Sequence, residues 1–404
     1  MAVLYLGSCD AGKKPRNRKD FLKPYHIDGL LINKVSFRDD DRTKWRSFRE
    51  GTDDAVLKLQ QFLFKAGFMP RAAFDGVFGY VTQAAVRLFQ EYVRTMENVT
   101  NMVPDGMVGS GTMRHITRWK NENKVSEWGK MSSNNPSKSY SDWMQLLQQA
   151  KQHYTSNPGP ILKHLNSLSK TYSTKKPSDW TFNTNDIHLI GIRRKQTQSA
   201  IRRENDDLFV LLINGMTFTF WGSTDASVNM AGRKDEAFLI EGQHLYRFGW
   251  HKISVEKKIY RALKPQKPRG VMIIRDWDND NAYTDEDIKV NGLRVNPSIN
   301  IHWTGIGRSN FSAGCQVIAG KSYLNHKNDL QDCSKFASAS YGGLTTSNKK
   351  TKGAYNVFTD LILCYAPQNI THLYYTLGRE DSLNLSHNFG SQYAENVLNR
   401  LKSV

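Results

Sequence analysis

Two copies of one turn constrain this chain more than any other feature. Asp75-Gly76-Val77-Phe78-Gly79 and Asp105-Gly106-Met107-Val108-Gly109 share the pattern D-G-x-x-G. Aspartate hydrogen-bonds the backbone just ahead of it, and glycine takes the positive φ that a side chain resists. Each turn opens onto residues with helical apolar spacing: Thr82, Ala85, Val86 and Phe89-Gln90 after the first, Thr112, Met113 and Ile116 after the second. Upstream, Asp53 or Asp54 is placed to cap a helix through Val56, Leu59, Gln60 and Leu63, which Gly67 stops. Residues 51–118 are therefore expected to fold as a small three-helix bundle.

Three segments of this stretch, LQQFLFKAGF, FDGVFGYVTQAAVRLFQ and VPDGMVGSGTMRHI, resemble the small three-helix peptidoglycan-binding module. Met113 stands where that family often has Trp. Most of the matching residues build the fold, and the resemblance implies wall targeting as its use. The rest of the composition agrees. A formal charge of +18 favours polyanions, an anionic wall among them. The basic residues are scattered, with no zinc-finger or RNP-like pattern, so nucleic acid ranks below peptidoglycan as a partner.

Residues 1–50 are basic and polar, with one apolar patch at Ile27–Val35. They are left unassigned, as an N-terminal arm suited to docking on particle or secretion-apparatus proteins. Their charges follow a very short apolar run, the reverse of a secretory signal, so no signal peptide is expected. No run approaches the ~20 apolar residues of a membrane span. Residues 119–185 read as linker and helices. Asn121–Ser139 and Ser173–Asp179 are polar linkers, and Ser141–Tyr154 and Ile161–Leu168 are helices parted by Asn157-Pro158-Gly159-Pro160.

From Asp186 the period becomes that of strands. Ile187–Ile192, Leu208–Ile213, Met216–Trp221, His244–Trp250, Val271–Arg275, Ser298–His302, Ile362–Tyr365 and Leu373–Leu377 are the candidates. Asn214-Gly215 between the second and third is a strong hairpin signal. Tyr323–Ala339 reads as a helical insert. The expected fold class is α+β and multidomain: a three-helix bundle, then a β-rich domain over 186–404 with a helical insert.

The chemistry centres on Ile299–Ala319. Ile299-Asn300-Ile301-His302 alternates as a short strand. A loop with Gly305, Gly307, Ser309 and Asn310 leads to Ser312-Ala313-Gly314-Cys315-Gln316 and the apolar pair Val317-Ile318. One His and one Cys at the inner ends of two strands make a frame for a thiolate nucleophile and its base. The other cysteines, Cys9, Cys333 and Cys364, form no CxxC pair and read as buried hydrophobes.

This arrangement behind a wall-binding module resembles the L,D-transpeptidase (YkuD-like) family. The resemblance implies His302 as base, Cys315 as nucleophile, and Ser312 and Gly314 as the small residues around it. Ala313 stands where that family usually has His, Gln316 departs from its signature, and the spacing from His302 to Ser312 is shorter than usual. The implied reaction is acyl transfer on a stem peptide, with backbone N–H groups near Gly314–Gln316 holding the oxyanion. An amine acceptor gives a cross-link and water gives carboxypeptidase activity. Arg308, Gln316, Tyr246 and Arg247 are candidates for substrate binding, and a basic residue among them suits a stem-peptide carboxylate.

No cofactor is required by this reading. A zinc site from His244, His251 and His302 matches no ligand spacing. Asp276, Asp278, Asp280, Thr284 and Asp287 follow the spacing of a calcium loop, with Asn281 in place of its glycine. Two function classes are carried forward. One is a wall-modifying cysteine enzyme, delivered by a phage or contractile injection particle. The other is a non-catalytic wall-docking component of such a particle.

Overall fold

The D-G-x-x-G turns are stitched by glutamines one helix away. The computed structural model describes residues 3–14, 49–69, 74–194, 204–228, 236–251, 260–266, 270–277, 284–307, 309–340, 343–344, 350–367 and 370–404. Its first elements are β1 (Ser8–Cys9), β2 (Arg49–Glu50), α1 (Ala55–Lys65), α2 (Tyr80–Met96) and α3 (Ser110–Asn121). On α1, the Gln60 amide donates to Asp75 Oδ1 and Thr82 Oγ1 at 2.7 and 3.0 Å and accepts from Gly76 N at 3.0 Å. On α2, Gln90 does the same for the second turn, with Asp105 Oδ1, Thr112 Oγ1 and Gly106 N at 3.0, 3.0 and 2.9 Å. Gly76 and Gly106 hold φ of +69° and +78°, as the turns require. Leu59, Phe62, Phe68, Phe89 and Trp119 fill the core between the helices.

The three expected helices form, but the cap of α1 is not local. Asp10 accepts from Val56 N and Leu57 N, both at 2.8 Å. Asp54 makes no side-chain cap bond, and Asp53 reaches only Ala55 N. Leu4 bridges to Val108 and Cys9 to Val77, so residues 3–14 lie across both turns and complete the bundle. The arm expected over 1–50 therefore begins as part of the bundle, and its residues 15–48 lie outside the described residues.

The expected linker at Asn121–Ser139 is structured. It contains α4 (Glu127–Lys130), whose Trp128 is fully buried. Trp128 packs edge-on against Phe68 and Tyr92 of the bundle and Phe218 beyond it, and Nε1 donates to His326 Nδ1 at 3.0 Å. A polar run hides one large anchor that composition averages away. Helices α5 (Lys138–Ser156) and α6 (Pro160–Ser167) follow as expected, and the second linker carries β3 (Thr174–Lys175).

The remaining elements are β4 (His188–Arg193), β5 (Asp207–Ile213), β6 (Met216–Ser223), β7 (Ala237–Leu239), β8 (Gly242–His251), β9 (Tyr260–Pro265) and β10 (Val271–Arg275). Then come α7 (Asp285–Asn291), β11 (Arg294–Asn296), β12 (Ile301–Trp303), β13 (Gln316–Ile318), β14 (Ser322–Leu324) and β15 (Leu330–Asp332). Last are α8 (Ala354–Tyr365), β16 (Leu373–Arg379) and α9 (Tyr393–Lys402). Asn214 and Gly215 both take positive φ, 49° and 74°, as the β5–β6 hairpin demands.

Strands pair in the order β13-β12-β9-β8-β16-β4-β5-β6, and β13 returns to β6, so eight strands close into a ring. Register places Leu189, Phe209, Phe218, Ile318, Ile301, Leu263, Phe248 and Tyr375 on the inner face. These residues share one core with α8 and the helical bundle. Ile190, Val210 and Trp221 face outward, under α5 and α9. A buried charge triad ties bundle to barrel. Arg87 of α2 grips Asp360 of α8 at 2.6 Å, and Arg261 of β9 lies 3.6 Å from the same carboxylate.

Two expected elements change type. Ile362–Tyr365 is the end of α8, not a strand. This helix is buried on every side, so its apolar run carries no polar face from which to read a period. Tyr323–Ala339 is not a helix. It forms the β14–β15 hairpin, turned by Asn325, whose side chain accepts from Lys327 N and Asp329 N, both at 2.9 Å, and by Asn328 at φ 64°. The α+β class stands. Among the described residues no helix is long and apolar enough to cross a membrane.

Candidate active site

Strands β12 and β13 run parallel and adjacent, with Ile301 opposite Gln316 and His302 opposite Val317. Side chains alternate across a strand. Ile301, Trp303, Gln316 and Ile318 therefore point into the barrel and His302 and Val317 out of it, while Asn300 and Cys315 immediately precede the two strands. The loop brings the predicted base and nucleophile to neighbouring strands, with His302 on the outer wall and the Cys315 sulfur against the backbone of Ser298 and Asn300.

Cys315 is half-buried, whereas Cys9, Cys333 and Cys364 are buried. Burial pushes the Cys9 thiol up to about 11 and the Cys333 thiol well above its usual range. The Cys315 sulfur receives the Asn300 N–H at 3.4 Å, a donor that favours the thiolate, and its own proton reaches Ser298 O at 3.3 Å.

His302 is held from behind. Its Nδ1 lies 2.9 Å from the carbonyl oxygen of Trp303, the next residue, and an oxygen there selects the Nδ1–H tautomer. That leaves Nε2 as the basic nitrogen. Tyr260 Oη sits 3.2 Å from the same Nδ1 and donates to Trp303 O at 3.3 Å. The His251 ring stacks on His302 with centroids 4.2 Å apart and planes 15° from parallel.

Ser312 and Gly314 shape the approach to the nucleophile. Ser312 Oγ donates to Cys315 O and accepts from Gly314 N at 3.3 Å. Gly314 adopts φ +129°, and a Cβ there would lie 2.8 Å from Ala237 O. Both residues brace the turn. Of the three expected oxyanion donors, Gln316 N already donates to Asn300 O at 2.8 Å and Gly314 N to Ser312.

The other candidates separate by face. Tyr246 is fully buried inside the barrel, its hydroxyl donating to Ile299 O at 2.9 Å. Gln316 is fully buried too, donating to Thr224 O at 3.3 Å and accepting from the Tyr375 hydroxyl. Both hold the fold beneath the site. Arg308 lies outside the described residues. Arg247 is the substrate-binding candidate that faces the outer wall. His244 faces inward between Thr174 and Ile240 O, so His244, His251 and His302 do not converge. Among the described residues no group of His, Cys, Asp or Glu is arranged to hold a metal ion. In the acidic loop, Asp278 and Asp280 lie outside the described residues. Thr284 and Asp287 form the capping box of α7, and Asp276 is buried.

Sequence reasoning passed over the loop's supports. Asn310 is fully buried, donating to Ser223 Oγ at 2.9 Å and Asp225 O at 3.0 Å. Asn205 holds Gly307 O at 3.1 Å. Beneath Gln316, Thr224 donates through N and Oγ1 to Asp207 at 2.6 and 2.8 Å and receives Arg193. Arg193 also pairs with Asp225 at 2.8 Å. Burial pushes Asp206 up to about 8 and Asp207 to about 7. A buried asparagine in a Gly/Ser loop was the available signal, but its partners are far away in sequence.

Residues 52–116 match the family described as putative peptidoglycan binding domain. No curated protein matches the chain. Among solved structures, a fused Zn-dependent amidase/peptidase/peptidoglycan-binding domain-containing protein from Clostridium acetobutylicum aligns at 13% identity over 80% of this chain and 95% of its own, with a TM-score of 0.23. At that score the likeness carries no argument about fold or chemistry. The chain thus carries a module of the peptidoglycan-binding family at 52–116, buttressed by a β-barrel.

Proposed function

We propose that this protein binds peptidoglycan through residues 52–116 and performs cysteine acyl transfer on stem peptides, of the L,D-transpeptidase or L,D-carboxypeptidase type, at Cys315. The observation that carries the reading is the placement of Cys315 against the backbone at Asn300, two residues before His302 on the paired strand, with His302 Nδ1 tied to Trp303 O. His302 takes the thiol proton. The thiolate forms a C–S bond to the stem-peptide carbonyl, the C–N bond breaks, and the leaving amine receives the proton from His302. A second amine or a water then releases the acyl group.

The test is incubation of purified peptidoglycan with wild type and Cys315→Ala, followed by fragment analysis and intact-protein mass. Wild type alone should alter stem peptides and carry a transient acyl adduct. Unchanged stem peptides in both samples would end the enzymatic reading. The second reading, a non-catalytic wall-docking component, is favoured by one contact: the Cys315 thiol is engaged as a donor to Ser298 O. It predicts pelleting with wall and no adduct. In both readings, delivery by a phage or contractile injection particle fits the basic charge of +18. Co-purification of the chain with such particles tests that part.

A further inference from the structure

The register that pairs Cys315 with His302 also lines up a row across four strands. Parallel pairing of β12 with β13 sets Cys315 beside Asn300. Antiparallel pairing of Ile301 with Leu263 sets Asn300 beside Lys264. Lys264 is opposite Arg247 on β8. Lys264 and Arg247 leave the outer wall, and the Cys315 sulfur meets the Asn300 backbone at the end of the row. The parallel row beside it, His302, Ala262 and Gly249, is small apart from the histidine.

Two members of this row hold polar atoms that no group among the described residues satisfies. Arg247 is 7% exposed, and its Nε and Nη1 have no hydrogen-bond partner. Asn300 Oδ1 is likewise buried and unpartnered. Among the described residues no acidic side chain is paired with Arg247, and burial is what acts on its guanidinium. Burial lowers it only to about 10, so the group is a cation at neutral pH. A second basic side chain converges on it. A Cβ built on Gly249 would lie 3.2 Å from Lys264 Cδ and 3.6 Å from Arg247 Nη1. A buried, unpaired guanidinium costs several kcal/mol unless an anion meets it.

We propose that Arg247, with Lys264 beside it, is a carboxylate subsite for the peptide attacked at Cys315, and that Asn300 Oδ1 accepts a peptide N–H between the two points. This rests on the acyl-transfer reading for its substrate class. Three inter-strand steps of about 4.8 Å separate Cys315 from Arg247 along the row, roughly 14 Å. An extended peptide rises ~3.3 Å per residue, so the carboxylate lies about four residues or fewer from the scissile bond. The substrate crosses the strands and does not run along them. The planar fork of Arg247 suits bidentate capture of that carboxylate.

The experiment measures binding to full-length Cys315→Ala by calorimetry. The probes are the synthetic stem tetrapeptide L-Ala-γ-D-Glu-meso-diaminopimelate-D-Ala and the same peptide with its glutamyl and diaminopimelyl carboxylates amidated. With Arg247 present, amidation should weaken binding ~10-fold or more. In Cys315→Ala/Arg247→Met the two peptides should bind alike. Arg247→Met should also leave Tm unchanged or raise it, because an unpaired buried charge has been removed. Equal affinity of both peptides for the Arg247 protein would overturn the subsite, as would a fall in Tm of several degrees on Arg247→Met. The two proposals fail separately. An acyl adduct on wild type with no carboxylate dependence sinks the subsite alone. Carboxylate-dependent binding with no adduct sinks the acyl transfer alone.

Discussion

The helical bundle and the outer barrel wall treat buried polar groups in opposite ways. In the bundle, Gln60 and Gln90 use both ends of their amides to satisfy the turns at Asp75 and Asp105. On the wall, Asn300 and Arg247 keep buried polar atoms that no group among the described residues satisfies. A buried polar atom costs free energy until it is hydrogen-bonded. The glutamines serve the fold and find their partners within it, whereas Arg247 carries a charge that burial makes costly to leave unmet. Arg87 sharpens the contrast. It is a buried arginine as well, yet Asp360 neutralises it through two bonds of 2.6 Å.

Substitutions on the two sides should separate accordingly. The largest effect belongs to the site. Cys315→Ala should lower stem-peptide turnover by ~10³-fold or more while wall pelleting is unchanged, measured on the same preparations. His302→Gln should cost ~10²–10⁴-fold in turnover, with little change in Tm. On the structural side, Gln90→Ala should destabilise by about 2–4 kcal/mol in urea unfolding, since it strands Gly106 N and the Asp105 turn. A loss as small as that of an ordinary surface change would break the contrast.

Gly314→Ala comes next, at about 1–3 kcal/mol, because φ +129° and the approach to Ala237 O both oppose a side chain. The smallest effect is on pH. Asp206 and Asp207 bind protons more tightly folded than unfolded. Their favourable contribution is intact below the unfolded carboxylate range near 4 and is lost as pH rises toward 7 to 8. Tm should be ~2–4 °C higher at pH 5.5 than at pH 8, and Asp206→Asn should shrink that difference. A flat profile in wild type would show that the buried pair does not set it.

The bundle was legible because its instructions are local. D-G-x-x-G turns, helical spacing and a stop at Gly67 act within a few residues of where they are written. The Asn214-Gly215 hairpin was legible for the same reason. The cap of α1 was not, since Asp10 is remote in sequence from the N–H groups it receives. Trp128 and α8 were misread because burial by distant partners removes the polar contrast on which period reading depends. The site was half legible. His302 and Cys315 stood out by residue type, but which neighbours share their face depends on register.

By itself the sequence determined a three-helix bundle with paired turns, a strand-rich second half, and a histidine and a cysteine on strands joined by one loop. Turn chemistry and periodicity are short-range, so they survive in a linear reading. The tertiary structure decided the rest: the closure of eight strands by β13 on β6 and the burial of Tyr246 and Gln316 inside that ring. It also decided that Arg247 and His302 face outward. A shift of one residue in register would turn each of these side chains to the other face, and register is fixed only when all the strands have paired.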